Sequence, residues 1–555
     1  MVMKLNEKSI RERNLWEEKG YKLPSYDREK MIYQTVKAPL WVHFGAGNIF
    51  RAFHAAAADR LLEAGVIDRG ITVVEGYDYE IIDKAYRPAD NYSILVTLKS
   101  DAAVNKTVVG AIAESCKLDS TNVAEMGRLK EIFEEGSLQL ATFTITEKGY
   151  CLKGSAGAYQ PEVLEDFENG PSHCVSYMGK VAELLYARFM AGAKPIAMVS
   201  TDNCSHNGDK LKQAMTEFAD KWESGGKAKK GFAAYVNDSS KVSFPWTMID
   251  KITPRPDPEV EKMLRDDGLE GLEPEVTSKN TYVAPFVNAE ETEYLVIEDS
   301  FPNGRPDLEK AGFILTDRET VDKVERMKVC TCLNPLHTAL AVFGCLLGYK
   351  KISDEMKDND LIQLVDILGY KEGLPVVTDP GVLSPREFID TVVKVRLPNP
   401  FMPDTPQRIA TDTSQKLSIR YGETIKNYIK DGRDITGLKA IPLVFAGWLR
   451  YLMAVDDEGS SFELSPDPML EELTDHMSAF AVDDKAIYSP EGDKAVVSRE
   501  ALADARAGLS SILTDERIFG IDLEATCMAD TVTELFIKMT RGKGAVRAVL
   551  REWLS

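Results

Sequence analysis

A lysine, an asparagine and a histidine lie close together in this chain, directly before a long apolar run. The segment reads Lys328-Val-Cys-Thr-Cys-Leu-Asn334-Pro-Leu-His337, and apolar residues dominate from Thr338 to Leu347. A lysine can take the proton of an alcohol, while an amide and an imidazole hydrogen-bond the oxygen as its charge changes. The segment therefore predicts alcohol–carbonyl chemistry that requires no metal.

A glycine-rich turn far upstream indicates a nucleotide. Gly45-Ala-Gly47 follows the apolar run Trp41–Phe44 and precedes an alanine-rich helix predicted from Arg51 to Gly65. Glycines at such a turn let the main chain approach a pyrophosphate, which then lies over the N-terminus of the helix. An ordinary glycine turn is the alternative, because a phenylalanine stands where this motif usually has a third small residue. The residues expected to bind the cofactor here are Gly45, Gly47, Asn48, Ile49, Phe50 and Arg51.

Two carboxylates after the second predicted strand are candidates for binding a ribose. Glu75 and Asp78 follow the apolar run Ile71–Val74, roughly 30 residues after the glycines. A carboxylate at this place repels the 2′-phosphate of NADP, so the cofactor is expected to be NAD. Together with the lysine segment, this predicts an enzyme that transfers a hydride.

Composition narrows the class of protein. A chain of 555 residues exceeds one comfortable core, so two or more domains are expected. The net charge of −21 argues against nucleic acid or an anionic membrane as a partner. Eight cysteines without disulfide-framework spacing suit a reducing cytoplasm, and the pair Cys330-x-Cys332 lacks zinc-site spacing. We expect a cytoplasmic, metal-free enzyme that acts on a small molecule.

The pattern of apolar residues predicts an α/β fold with two main domains. Residues 1–38 are expected to form an N-terminal extension. Residues 39–305 alternate strands and helices, which predicts a dinucleotide-binding, Rossmann-type parallel sheet domain. Residues 306–555 are expected to form a mainly α-helical C-terminal domain that carries the lysine segment. Its predicted helices are Val321–Tyr349, Leu361–Leu368, Pro385–Val395, Ile435–Val455, Met469–Phe480, Arg499–Leu513 and Thr531–Trp553.

With these signatures in hand, the chain resembles the polyol-specific long-chain dehydrogenases, the mannitol dehydrogenase family. The resemblance rests on motifs whose order along the chain agrees with the family. They are Gly45-Ala-Gly47-Asn-Ile-Phe-Arg51, Pro88-Ala-Asp90-Asn-Tyr92-Ser, Thr146-Glu-Lys148-Gly-Tyr150, Ser200-Thr-Asp202-Asn203, Asn207-Gly208, Phe244-Pro-Trp-Thr-Met-Ile-Asp250, Glu325-x-x-Lys328, Asn334-x-x-His337, and Arg408-Ile-Ala-Thr-Asp412 with Lys416. Each motif is modest alone, but the ordered set is highly specific.

The resemblance implies a role for each matching residue. Lys328 is implied as the general base in alcohol oxidation and the acid in carbonyl reduction. Asn334 and His337 are implied as the donors that polarise the reacting oxygen, and Glu325 as a carboxylate on the proton path. The implied substrate contacts are Asn203, Asp250, Arg408 and Lys416, to which Lys148 is added because it follows a predicted strand of the sheet.

Two departures from the family pattern bear on these roles. The family usually leaves four residues between the lysine and the asparagine, whereas five separate Lys328 from Asn334. One extra residue on a continuous helix rotates a side chain by about 100°. Either Lys328 precedes the helix, or a bulge absorbs the residue, or the base is another group. In addition, Thr411 stands where mannitol dehydrogenases carry a histidine, which counts against mannitol as the substrate.

Each of these residues also has a structural interpretation. His337 could be a core histidine at the start of the apolar helix. Asp202 and Asn203 could form a turn with Asn207-Gly208. Arg408, Asp412 and Lys416 recur at helical spacing, so they could form a surface row of ion pairs.

A sugar acid is the expected substrate. Its carboxylate needs fixed positive charge, for which Lys148, Arg408 and Lys416 are candidates. We predict NAD(H)-linked interconversion of D-fructuronate and D-mannonate. The alternatives are mannitol 2-dehydrogenase or another polyol or sugar-acid dehydrogenase of this family, a 2-hydroxyacid dehydrogenase, and a non-catalytic NAD-binding sensor.

Overall fold

The computed structural model describes residues 3–482 and 498–555, which form two compact units. The first unit contains the residues up to Lys99 together with Ala103–Asp322, and the second contains Ser100–Ala102 with the residues from Lys323 onward.

A six-stranded, all-parallel sheet is the centre of the first unit. In chain order its strands are Trp41–Phe44, Ile71–Glu75, Ile112–Lys117, Leu140–Phe143, Ile196–Ser200 and Val242–Ser243. Numbered one to six along the chain, they lie in the order 6-5-4-1-2-3, and every neighbouring pair is parallel. This is the Rossmann strand order, whose topological switch point falls between the first and fourth strands.

Both faces of this sheet are buried, which explains why its strands are continuous apolar runs. Trp41 belongs to one core cluster, whereas Val42 and Phe44 belong to the other. Successive side chains of a strand point to opposite faces, so the two clusters are the two sides of the sheet. Helices supply the facing residues, for example Leu61 on the first side and Leu185 on the second.

Smaller sheets surround this centre. A mixed four-stranded sheet orders Phe286–Glu290, Ser93–Leu98, Val104–Val109 and Tyr21–Lys22, and a three-stranded sheet orders Thr247–Asp250, Tyr294–Glu298 and Ile314–Thr316. Two strand pairs are Met3–Lys4 with Leu269–Glu270, and Glu275–Val276 with Tyr282–Val283.

The first unit contains the following helical segments. Its α-helices are Glu7–Ile10, Arg13–Glu17, Arg28–Lys37, Ala56–Glu63, Val123–Glu134, Pro161–Asn169, Tyr177–Met190, Asn207–Ser224, Phe232–Asn237 and Pro258–Asp266. The segments Phe50–Ala55 and Ile82–Tyr86 are π-helical, and the 3₁₀ turns are Arg87–Ala89, Glu147–Tyr150 and Leu308–Ala311.

Residues expected to form a separate N-terminal extension lie within the first unit. Met3 and Lys4 pair with Leu269 and Glu270, and Tyr21 and Lys22 pair with Lys106 and Thr107. At the other end, the first unit continues beyond residue 305, because Ile314–Thr316 pairs with Tyr294–Glu298.

The second unit is mainly helical. The helix Arg318–Met327 leads into it, and the α-helices that follow are Asn334–Leu346, Ile352–Glu355, Asn359–Asp366, Pro385–Thr391, Pro406–Ile409, Glu423–Lys430, Ala440–Tyr451, Leu470–Met477, Arg499–Leu513, Glu516–Phe519, Ala529–Met539 and Ala545–Leu554. The π-helical segments are Lys328–Cys332, Ile367–Gly373, Val392–Arg396 and Ser418–Gly422, and the 3₁₀ turns are Leu374–Val376 and Thr413–Gln415.

Two predicted helices prove to be interrupted. Gly542 and Gly544, both with positive φ, divide the predicted helix Thr531–Trp553. The predicted helix Val321–Tyr349 is broken at Leu333. Residues 318–346 together are long and apolar enough to cross a bilayer, but this stretch is mostly buried inside the protein. One such stretch is weak evidence for a membrane span, because a buried core helix can be equally long and apolar.

Candidate active site

The lysine segment begins with a π-helical turn. Residues Lys328–Cys332 are π-helical, and the main-chain N–H of Leu333 donates to the carbonyl oxygen of Lys328 at 3.1 Å. Leu333 then leaves the helical conformation, with φ −128° and ψ −62°, and a new helix begins at Asn334. The extra residue is therefore absorbed by a bulge, which was one of the three alternatives.

The side chains on either side of this turn differ in exposure. Lys328 is only 4% exposed, whereas Asn334 is partly exposed at the first position of its helix. His337 lies three residues after Asn334, so both side chains share a helix face. Glu325 is likewise three residues before Lys328 and partly buried.

One carboxylate and several cations lie near His337. Its Nε2 atom lies 3.4 Å from a carboxylate oxygen of Asp404. Burial, followed by the charges of Arg396, Arg420, Arg408 and Lys416, lowers the pKa of His337 to about 3. The imidazole is therefore neutral near pH 7.

The cations near His337 have different partners. Arg408 forms an ion pair with Asp404, and Lys416 donates to the carbonyl oxygen of Thr411. Burial, followed by the charge of Arg420, lowers the pKa of Lys416. The interpretation of Arg408, Asp412 and Lys416 as a helical row is wrong, because Asp412 has φ +53° and separates two short helical turns.

Arg420 was not identified from the sequence. It lies in the π-helical segment Ser418–Gly422, and its guanidinium donates to the hydroxyl of Thr338, next to His337. The signal in the sequence was its position four residues after Lys416. That spacing alone does not show that Arg420 reaches Thr338.

The glycine-rich turn Gly45–Gly47, called the nucleotide turn below, has a backbone conformation that requires glycine at its first position. Gly45 has φ +109°, and a Cβ at this residue would lie 2.2 Å from the carbonyl oxygen of Thr144. Its N–H donates to the carbonyl oxygen of Val74 at 2.8 Å, so the turn connects three strands of the sheet. A Cβ at Gly47 would meet nothing within 4 Å. The helix that follows begins at residue 48 and directs its first N–H groups toward this space.

A cavity of about 410 Å³ lies over this turn. Arg255, which belongs to none of the motifs recognised in the sequence, adds positive charge to the lining of this cavity. The remaining lining residues are Ala46, Gly47, Asn48, Ile49, Arg51, Ile81, Thr253, Asn280, Thr281, Tyr282 and Val283. A tight turn, a helix N-terminus and an arginine fit the pyrophosphate of a dinucleotide.

The side chains of Phe50 and Arg51 support the turn from the protein interior. Phe50 is fully buried and stacks on His43, with ring centroids 4.4 Å apart. Arg51 is 1% exposed and donates to the carbonyl oxygen of Ala284 at 2.6 Å and to Asn48 Oδ1 at 2.8 Å. Desolvation lowers the pKa of Arg51.

Both candidate ribose carboxylates have partners inside the protein. Glu75 accepts hydrogen bonds from the N–H groups of Ala46, Tyr77 and Asp78 at 2.8–3.0 Å. Burial raises the pKa of Glu75. Asp78 is 2% exposed and accepts from the hydroxyl of Thr277 at 2.6 Å. Glu75 therefore shapes the loop after the second strand.

Two of the predicted substrate residues follow neighbouring strands of the central sheet. Lys148 is exposed in the turn after Leu140–Phe143, and Asn203 is exposed after Ile196–Ser200. The carboxyl ends of parallel strands meet at one edge of a sheet, where open α/β folds bind ligands. Asp250 ends the strand Thr247–Asp250 and is 5% exposed.

Asp202 has a structural role. Its carboxylate accepts from the N–H groups of Ile145 and Thr146 at 3.0 and 2.8 Å, and from the Tyr150 hydroxyl at 2.6 Å. Burial raises the pKa of Asp202. The side chain of Asp202 thus fixes the loop that carries Lys148.

All eight cysteines are free thiols. Among residues 3–482 and 498–555, no group of three or more His, Cys, Asp or Glu side chains is placed to hold a metal ion.

Comparisons with known proteins cover nearly the whole chain. Residues 40–310 match the mannitol dehydrogenase Rossmann domain, and residues 320–534 match the mannitol dehydrogenase C-terminal domain. D-mannonate oxidoreductase of Thermotoga maritima is 50% identical over 553 residues, which are 99% of this chain and 99% of that protein.

Two solved structures share the fold. D-sorbitol dehydrogenase in substrate-free form has a TM-score of 0.75 and 24% identity, over 96% of this chain and 97% of that chain. Pseudomonas fluorescens mannitol 2-dehydrogenase, in a ternary complex with NAD and D-mannitol, has a TM-score of 0.67 and 25% identity, over 100% and 99%. The predicted fold class, a Rossmann-type domain followed by a helical one, is confirmed.

Proposed function

The chain belongs to the mannitol dehydrogenase family, as its ordered motifs predicted, and we propose that it interconverts D-mannonate and D-fructuronate with NAD(H). The observation that carries the proposal is 50% identity to a D-mannonate oxidoreductase over 99% of both chains. Positive charge around His337 supports an anionic substrate over an uncharged polyol.

Lys328 is proposed as the group that exchanges the proton. In oxidation it accepts the hydroxyl proton of the secondary carbinol carbon, C5 of D-mannonate, and in reduction it returns this proton to the new hydroxyl. Its 4% exposure keeps bulk water away from the amine. Bound NAD supplies the acceptor for the hydride that leaves the same carbon.

Asn334 and His337 are proposed to stabilise the oxygen while it carries alkoxide character. The π-turn fixes their placement relative to Lys328, because it ends at Leu333 and the next helix begins at Asn334. A neutral imidazole suits this role, since it carries no charge that would repel the surrounding arginines. Glu325 is proposed to relay the proton between Lys328 and solvent.

The remaining site residues are proposed to bind the two substrates. Gly45, Gly47 and the start of the following helix are proposed to hold the pyrophosphate, and Glu75 and Asp78 are proposed to lie on the ribose side of the cofactor. Asn203, Asp250, Lys148, Arg408 and Lys416 are proposed as contacts to the sugar acid. Eight free thiols suit a reducing compartment, and a cytoplasmic location is proposed on that ground.

The substrate proposal is tested by assaying oxidation of D-mannonate and D-mannitol side by side with NAD. We expect D-mannonate to be the better substrate by kcat/KM. Turnover of mannitol alone would reject the sugar-acid assignment in favour of a mannitol 2-dehydrogenase. Tight NADH binding without turnover of any sugar acid or polyol would favour a cofactor sensor.

A further inference from the structure

Arg420 carries a positive charge that the described residues do not balance. Its guanidinium donates to the hydroxyl of Thr338 and, within residues 3–482 and 498–555, forms no ion pair with a carboxylate. Burial lowers the pKa of Arg420 to about 10, and no acidic side chain offsets this effect. A guanidinium has five N–H groups, and one hydroxyl accepts only one of them well.

Three other arginines of the molecule each have several partners in the protein. Arg188 donates to five carbonyl oxygens, and Arg450 donates to three. Arg547 forms ion pairs with Asp358 and Asp360. Arg420 has one protein acceptor, the Thr338 hydroxyl, and no carboxylate partner among the described residues, so N–H groups of its guanidinium are left for a ligand.

Hydrogen bonds fix the position of Arg420 relative to the helix Asn334–Leu346. Thr338, which accepts from Arg420, donates its own hydroxyl to the carbonyl oxygen of Asn334 at 3.0 Å. This chain of hydrogen bonds ties the guanidinium to the first turn of the helix Asn334–Leu346, where His337 also lies. The main-chain N–H of Arg420 donates to the carbonyl oxygen of Lys416 at 3.0 Å, and the charge of Arg420 contributes to the lowered pKa of Lys416, so the two cations are near each other.

Arg408 is less suited to bind an anion than its place in the family motif implied. Its guanidinium forms an ion pair with Asp404, four residues earlier in the chain, and its side chain is 60% exposed. A guanidinium that is already paired with a carboxylate attracts a second anion only weakly. A partly buried guanidinium without such a partner attracts an anion much more strongly.

We propose that Arg420 binds the carboxylate of the sugar-acid substrate and thereby selects sugar acids over uncharged polyols. This inference rests on the proposed function and names the residue that recognises the acid group. The planar guanidinium can hold both carboxylate oxygens, and Lys416 adds a second positive charge nearby. The carboxylate at C1 is remote from the reacting carbon C5, so its binding orients the substrate without taking part in the chemistry.

The test compares Arg420→Met, Arg420→Lys and the control Arg433→Met, which removes an exposed arginine of the same unit. Steady-state constants for D-mannonate are measured beside the KM or inhibition constant of D-mannitol, the matched uncharged polyol. We expect Arg420→Met to raise the KM for D-mannonate by about 10- to 100-fold, the effect of losing hydrogen bonds to a charged group. Arg420→Lys is expected to raise the KM for D-mannonate by about 10-fold, because lysine keeps the positive charge but cannot bind both carboxylate oxygens in the planar geometry of a guanidinium. Constants for D-mannitol and NADH, and all constants of Arg433→Met, should stay within about twofold of wild type.

Calorimetric titration measures the affinity of the NADH complex for D-mannonate. No reaction occurs in this complex, because NADH cannot accept a hydride, so the titration tests this inference separately from the proposed function. If wild-type protein oxidises no sugar acid, the proposed function fails, and the titration alone decides on Arg420. Equal affinity in wild type and Arg420→Met overturns the carboxylate role, as does an equal loss for D-mannonate and D-mannitol. If Arg420→Met fails to fold in a thermal unfolding check, the Arg420→Lys data decide by the same criteria.

Discussion

The main-chain N–H of Leu333 donates to the carbonyl oxygen of Lys328, five residues earlier and 3.1 Å away. An α-helix would join residues four apart, so this bond accommodates one additional residue within the turn. The lysine therefore stays in the helix preceding the asparagine, despite a spacing that departs from the family pattern. Main-chain geometry thus places the proposed proton acceptor and the proposed oxygen-polarising amide on either side of one bulge.

Replacement of Lys328 by alanine should lower turnover of D-mannonate by about 10²–10⁴-fold, the usual contribution of a positioned acid–base group. The affinity for NADH should change little, because the proposed pyrophosphate contacts come from the turn Gly45–Gly47 and the start of the helix after it. Lys357→Ala is the control, since this side chain is 71% exposed. Near-normal kcat in Lys328→Ala would remove the lysine from the mechanism.

His337 should leave no inflection in the pH profile of kcat/KM between pH 5 and 8. Burial and neighbouring cations lower its pKa to about 3, so the imidazole stays neutral throughout that range. His337→Gln should lower kcat by about 10²–10³-fold, as expected for an oxygen-stabilising donor, without changing the shape of the profile. The exposed His476 gives the control variant His476→Gln. An inflection near pH 6.5 that disappears in His337→Gln would contradict this assignment.

The two glycines of the nucleotide turn should respond differently to alanine. Gly45→Ala places a Cβ 2.2 Å from the carbonyl oxygen of Thr144 at φ +109°, so we expect a loss of more than about 1 kcal/mol in the free energy of unfolding. Gly47→Ala meets no atom within 4 Å and should unfold normally, but it should weaken NAD binding because its methyl group enters the space for the pyrophosphate. Thermal unfolding and NADH fluorescence titration measure both effects. Unchanged NADH affinity in a stable Gly47→Ala protein would argue against pyrophosphate binding at this turn.

The parallel sheet was predictable because its strands are short apolar runs buried on both faces. The run Trp41–Phe44 followed by glycine needs no distant partner to be recognised. Short polar strands such as Tyr21–Lys22 give no such signal, so their pairing with Lys106 and Thr107 was missed. The charge environment of the site was also missed in part. Arg420 meets Thr338 from 82 positions away, a contact that no local pattern encodes.

Glu355 is buried without compensation in the second unit. Its side chain is 0% exposed, and within the described residues neither carboxylate oxygen has a hydrogen-bond partner. A Cβ at Gly344, in the helix Asn334–Leu346, would lie 2.2 Å from the Oε1 atom of Glu355. Burial, followed by the charges of Asp358 and Asp354, raises the pKa of Glu355 well above its usual value.

This raised pKa predicts that the protein loses stability as the pH rises. The folded state holds the proton of Glu355 at pH values where the unfolded state has released it, so its contribution is complete below about pH 4.3 and declines above that value. Each pH unit between the two pKa values lowers the free energy of unfolding by about 1.4 kcal/mol. Glu355→Gln, which is neutral and of similar shape, should therefore have a higher Tm than wild type at pH 8, and this difference should shrink at pH 5. The exposed Glu471→Gln serves as the control. A Tm difference between Glu355→Gln and wild type that is the same at both pH values would show that Glu355 does not release its proton on unfolding.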